Sequence, residues 1–170
     1  APALANYVMF GGVDSVRAIN DTWMSPGSCD GSWSIIYPEQ SPPPRWGHCM
    51  VGAMQGAIIF GGFDANNDPL NDMWYFDGVN WLQVYPPDGE IPGPRGGAAM
   101  CNIGAYITLF GGTDGKKYYN DTWLLEVPGT VSTNILGVPV TNDAVRCINI
   151  VPQGEFGGSI GPVGRAFPYY

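Results

Sequence analysis

Apolar runs of about four to six residues, rich in β-branched and aromatic types, recur along the chain between clusters of Gly, Pro, Asn and Asp. Such runs are a strand signal, because a helix needs an apolar stripe at 3.6-residue spacing sustained for ten residues or more. Tyr7–Phe10, Ala57–Phe60 and Tyr106–Phe110 each end on a double glycine. Met73–Phe76, Thr122–Leu125 and the stretch around Trp23 form a second set. Trp33–Tyr37, Trp81–Tyr85 and Cys147–Val151 form a third, and residues 46–53 and 97–103 a fourth. The pattern predicts an all-β chain of short antiparallel strands joined by tight turns.

The runs return in register. Phe10-Gly11-Gly12 recurs as Phe60-Gly61-Gly62 and Phe110-Gly111-Gly112, 50 residues apart each time. Asn20-Asp21-Thr22-Trp23 matches Asn71-Asp72-Met73-Trp74 and Asn120-Asp121-Thr122-Trp123. Trp33 to Pro38 matches Trp81 to Pro86, and Pro42-Pro43-Pro44-Arg45 matches Pro92-Gly93-Pro94-Arg95 and Pro162-Val163-Gly164-Arg165. A fixed period of this length marks a repeat architecture in which each unit buries its core against the next. At the glycine pairs, a residue with positive φ can turn the chain, and the missing Cβ lets neighbouring backbone or Trp approach. Asp14, Asp64 and Asp114 stand two residues beyond, where a carboxylate can cap the turn.

The combination of Pro-x-x-Arg, hydrophobic-Gly-Gly, Asn-Asp-x-Trp and a second Trp resembles the Kelch repeat over essentially the whole chain, most closely from Pro42 to Tyr85. The resemblance implies an all-β fold of β-propeller blades, each of four antiparallel strands. Three blades lie in this chain, so the propeller is incomplete or assembled. Residues 1–44 read as a first repeat lacking its first strand, 45–94 as a second, and 95–161 as a third with an insertion at about 127–146. Residues 162–170 read as the first strand of a further or shared blade. Gly11, Gly12, Gly61, Gly62, Gly111, Gly112, Arg45 and Arg95 are the expected structural positions, and Trp23, Trp74 and Trp123 are expected to fill the space between blades.

Composition narrows the field. With 25 Gly, 16 Pro and only 13% charged residues, a helical bundle is excluded, and 13% aromatic residues argue against disorder. The formal charge is -8, with 7 Lys and Arg in all, so the clustered cations that displace phosphate counterions are missing and nucleic acid is not an expected partner. No apolar run reaches the 18 or so residues of a transmembrane segment. Few lysines and low charge favour an extracellular setting.

Candidate chemistry is sparse. His48 is the only histidine, which leaves too few imidazoles for the copper site of Kelch-like oxidases and no partner at a nucleophile elbow. No metal, cofactor or catalytic residue is therefore expected. Asp64-Ala65-Asn66-Asn67-Asp68 begins like a calcium loop but fails at Pro69 and Tyr75. Asn20 and Asn120 sit in N-x-Thr sequons and are candidates for glycosylation. Cys29, Cys49, Cys101 and Cys147 are expected as buried or free thiols, Cys49 and Cys101 on innermost strands.

In an antiparallel blade, second-to-third and fourth-to-first connections share one end. That end should collect Asp14, Glu39, Asp64, Asp68, Asp88, Glu90, Asp114 and Glu155 with Arg17, Lys116 and Lys117. It forms an acidic docking face for a basic or polar partner, with Tyr118 and Tyr119 as aromatic anchors. The expected function is a non-enzymatic scaffold for protein–protein interaction, whose partner is another protein or a further copy added by β-strand exchange. The alternatives are an extracellular, glycosylated, self-assembling structural protein, and part of a galactose-oxidase-like or sugar-binding propeller.

Overall fold

The computed structural model describes residues 6–27, 31–53, 56–86, 90–103, 106–126, 131–133, 139–141 and 146–151. Its first sheet contains β1 (Tyr7–Val13), β2 (Ala18–Ser25) and β3 (Ser34–Ile36), in that spatial order. The second contains β4 (Cys49–Ala53), β5 (Gly56–Phe63), β6 (Pro69–Phe76) and β7 (Trp81–Val84), also in sequence order. The third begins with β8 (Ala99–Ile103), β9 (Tyr106–Phe110) and β10 (Thr122–Glu126). A separate hairpin of β11 (Val131–Thr133) and β12 (Pro139–Thr141) follows, and β13 (Arg146–Val151) then pairs with β10 to complete the third sheet. All named pairs are antiparallel. These are two four-stranded propeller blades preceded by a three-stranded one.

Three details depart from the pattern of apolar runs. β1 and β5 do not stop at the double glycine. They continue through it to Val13 and Phe63, with register shifts at Phe10/Gly12 and Phe60/Gly62. Both glycines of each pair take positive φ, so the pair forms a bulge that bends the strand and preserves the ladder beyond it. The first strands begin later than expected, at Cys49 and Ala99, because Gly47 and Gly97 (φ 63° each) break the ladder after Arg. Finally, the insertion carries the β11–β12 hairpin, which its polar, Gly- and Pro-containing sequence did not announce.

The core lies between blades. On β5, alternation sends Ala57 and Ile59 to one face and Ile58 and Phe60 to the other. Ala57 and Ile59 pack with Trp74, Phe76 and Trp81 against Phe10 of the first sheet. Ile58 and Phe60 pack with Met73 and Cys49 against Ile107, Leu109, Trp123 and Leu125 of the third. The middle blade is thus apolar on both faces, as a blade with a neighbour on each side must be. β4 and β8 run side by side, and just before them Gly97 N–H donates to Gly47 O at 2.8 Å.

Candidate functional site

Arg45 and Arg95 open the second and third blades, and each ties two blades together. The backbone of Arg45 faces the preceding blade: its N–H donates to Ile19 O (3.1 Å) and its carbonyl accepts from Gly12 N (2.9 Å). Its guanidinium faces its own blade, donating to Gly61 O (3.1 Å) and to both carboxylate oxygens of Asp72 (2.5 and 2.7 Å). Arg95 repeats every contact with Leu70 O, Gly62 N, Gly111 O and Asp121. Trp74 and Trp123 donate their indole N–H to the same carboxylates (2.7 and 2.8 Å). Burial pushes the Asp72 and Asp121 carboxyls up, but the hydrogen bonds from Arg and Trp outweigh it and hold both below the usual carboxylate range. These arginines are fully enclosed and structural; Asp121 is buried with its arginine, and Asp72 is half-buried. The aspartates had a signal, standing two residues before Trp in every copy, but no single sequence says that a distant Arg meets them.

The second-to-third loops form the exposed end. Each is braced by its aspartate: Asp14 Oδ1 accepts from Val16 and Arg17 N–H, Asp64 Oδ1 from Asn66 and Asp68, and Asp114 Oδ1 from Lys116 and Lys117, all at 2.7 to 2.9 Å. The backbone hydrogen bonds hold the Asp14 and Asp114 carboxyls below their usual range. Capping fixes the loop backbone and leaves Arg17, Asp68, Lys116, Lys117 and Tyr118 exposed. An open groove between adjacent loops is lined by Asn67, Asp68, Pro69, Asp114, Gly115 and Lys116.

Not every expected member of this face is available. Tyr119 is 8% exposed; its ring lies 3.8 Å from the Arg95 guanidinium carbon and its hydroxyl donates to Asp114 (3.1 Å). It supports the arginine and is withdrawn from any partner, whereas Tyr118 is 63% exposed. Glu39 sits elsewhere: its N–H donates to Asn80 Oδ1 (2.9 Å) in the β6–β7 turn, at the other end of the sheet. Glu90 is exposed, while Asp88 and Glu155 lie outside the described residues.

The remaining candidates are structural or open. His48 packs edge-on against Phe10 (5.6 Å) between the first two blades, and its Nδ1 is buried without a hydrogen-bond partner among the described residues. Burial first, then the Arg45 charge, lowers its pKa to about 4, so it is a neutral spacer at pH 7. Cys49 is buried and its thiol is pushed up to about 12 by burial. Cys101 is exposed, contrary to the expectation for an innermost strand, on a β8 whose residues are exposed apart from half-buried Met100. Both are free; Cys29 and the Cys147 side chain lie outside the description. Asn20 is exposed, and Asn120 is half-buried with its carboxamide oxygen enclosed. Among the described residues no helix is long and apolar enough to cross a membrane.

The model of the KLHDC2/KLHL20/DRC7 Kelch-repeats domain matches residues 4–144. F-box/kelch-repeat protein At1g51550 of Arabidopsis thaliana is 30% identical over 139 residues, covering 73% of this chain and 29% of that protein. Rab9 effector protein with kelch motifs of Mus musculus is 33% identical over 120 residues, covering 66% of this chain and 31% of that protein. The chain therefore spans less than a third of either relative. The solved structure of YjhT superimposes with a TM-score of 0.67 at 19% identity, covering 95% of this chain and 51% of that one. That likeness concerns the fold.

Proposed function

We propose that this chain, which belongs to the Kelch-repeat family, is a non-enzymatic protein-binding segment of a propeller. Kelch repeats generally mediate protein–protein interaction, and the finer reading rests on the loop end. The observation that carries it is the pair of aspartate-braced loops of the second and third blades, which hold Asp68 and Lys116 on one groove, with Lys117 and Tyr118 exposed on the same loop as Lys116, at little ordering cost. Exposed Asp68 and Glu90 select a basic or polar partner surface, and Tyr118 supplies apolar area. Asp68→Lys combined with Glu90→Lys spares the braces, so the chain should keep its melting temperature and lose capture of its partner from native extract. Unchanged capture would contradict the docking face.

The ring is completed by strand addition at the first blade. Among the described residues β1 pairs with β2 alone, which leaves one edge of the first blade open to a further strand. The supplier is another copy of the chain or further blades of a longer parent, through the Pro-x-x-Arg segment 162–170 or its counterpart. Deleting 162–170 should turn an associating chain into a monomer, as seen by light scattering. A well-folded monomer before and after deletion would contradict this. Asn20, exposed on β2, is the site where a glycan can be carried, and an intact mass that loses no glycan on Asn20→Gln in secreted material would refute its use.

A further inference from the structure

The groove between the second and third blades is lined by Asn67, Asp68 and Pro69 from one loop and by Asp114, Gly115 and Lys116 from the next. Each wall is a second-to-third loop closed on itself. Asp64 Oδ1 accepts from Asn66 and Asp68 N–H, and Asp64 N–H donates back to Asp68 O at 3.0 Å. Pro69 then enters β6 opposite Phe63, which fixes where the first wall ends. Asp114 Oδ1 accepts from Lys116 and Lys117 N–H, and its second oxygen accepts from the Tyr119 hydroxyl. Both walls are therefore stiff at the backbone.

Bracing engages Asp64 and Asp114 and leaves two opposite charges over. Asp68 and Lys116 are exposed, one on each wall. The ion pairs among the described residues are Arg45–Asp72 and Arg95–Asp121. Asp68 and Lys116 thus border one space without meeting. Lys117, the neighbouring cation, lies 4.9 Å over the Tyr119 ring, where the ring quadrupole attracts it. The groove has a volume of about 430 Å³, within the range of small-ligand sites. Two unlike charges held apart by stiff backbone complement a second pair of unlike charges arranged the opposite way.

Resting on the docking face proposed above, we propose that this groove reads a basic and an acidic side chain together, on one extended segment of a partner protein. Asp68 takes the cation and Lys116 takes the carboxylate. Residues i and i+2 of an extended segment point to the same side. A triplet whose outer residues are one basic and one acidic therefore presents both charges to the groove at once. The surrounding surface disfavours partners of a single sign. A purely acidic segment meets Asp68 and Glu90 on a chain of net charge -8, and a purely basic one meets Lys116 and Lys117. Like charges brought together at a contact select against the wrong partner. Because Asp68 and Lys116 are exposed, their pairing contributes specificity more than affinity. Pro69 and exposed Tyr118 supply apolar contact.

The test is an NMR titration of the isotope-labelled full chain with short acetylated, amidated peptides centred on Lys-Thr-Glu, Lys-Thr-Lys or Glu-Thr-Glu. The mixed peptide should move the amide signals of Asn67, Asp68, Gly115 and Lys116. At low salt it should bind about tenfold more tightly than either single-sign peptide. Lys116→Glu should transfer the preference to the basic peptide, and Asp68→Lys to the acidic one, each by about tenfold. Both residues join their braces through backbone N–H alone, so the variants should keep the parent's melting temperature. The neutral variants Asp68→Asn and Lys116→Met should lose the discrimination without inverting it. Equal affinity for the mixed and basic peptides, a preference untouched by the reversals, or no groove signal moving at about 1 mM peptide would overturn the paired-charge reading. Capture from native extract separates this result from the docking face itself. If Asp68→Lys with Glu90→Lys abolishes capture while the peptides are not discriminated, the face stands and the paired-charge groove falls. If capture survives as well, both fall.

Discussion

Arg95 joins two blades because its backbone and its guanidinium face different neighbours, and Asp121 is left only 6% exposed beneath it. Removing the cation strands a buried carboxylate, so Arg95→Ala should cost about 3–5 kcal/mol in chemical denaturation, as broken buried pairs do. Arg95→Lys should not recover it, since one ammonium cannot reproduce the fork to both oxygens and Gly111 O. Arg45→Ala should cost less, because Asp72 is 22% exposed and can regain water. His48 makes a pH prediction. Above its ordinary value of 6.5 the imidazole is neutral in folded and unfolded chains alike, and stability is full. Between 6.5 and about 4 only the unfolded chain takes the proton, so stability falls as pH falls through this window. The loss reaches up to roughly 3 kcal/mol by the usual conversion of a pKa shift. His48→Phe should flatten that slope in urea titrations at pH 4 to 7; an unchanged slope would place the titration elsewhere. At this scale the sequence marked Arg45, Arg95 and the Trp residues by recurrence alone. It left out Asp72 and Asp121, and it placed Tyr119 in solvent, because a residue's partner across 26 residues is a property of the closed fold and not of local pattern.

Strand identity was legible because apolar runs are short, punctuated and repeated, and β4 to β7 follow their expected order. Boundaries were less so. A double glycine reads as a stop, yet with both φ values positive it becomes a bulge and the ladder resumes at Gly12–Ile19 and Gly62–Leu70. The hairpin β11–β12 has neither the period nor the motif of the repeat, so nothing in the pattern pointed to it. Two predictions belong here. Trp74 is buried among Phe10, Ala57 and Ile59, and Trp74→Ala should cost about 3–5 kcal/mol, the range for emptying a large aromatic site. Hydrogen exchange should rise mainly in the first two blades, because repeat stability is local. A variant that melts within a degree of its parent would contradict the inter-blade core. Gly61→Ala should be destabilising by about 1–3 kcal/mol from the left-handed backbone alone, since φ is +65° and a Cβ would stand 2.4 Å from Arg95 O. Gly78→Ala shares the positive φ but meets no atom, so it should cost less; equal losses would mean that close approach at the bulge does not matter.

The described residues form a run of Kelch blades whose interior is the space between sheets, with the second-to-third loops of one end braced by aspartates. Fold class could be read from the sequence because the repeat carries its own punctuation. Which loop residues are exposed could be read only in part, because burial at Tyr119 depends on where Arg95 points. The central claim is that the blades form one keyed body and do not hang as independent sheets. Native-state hydrogen exchange by NMR tests it at the keys themselves. The Gly12 and Gly62 amides donate to Arg45 and Arg95 carbonyls across blade boundaries, and they should be protected to within about tenfold of the β5 core amides, as members of one cooperative unit. Exchange of those two glycines as fast as the exposed loop amides of Ser15 and Ala65, with β5 still protected, would contradict it.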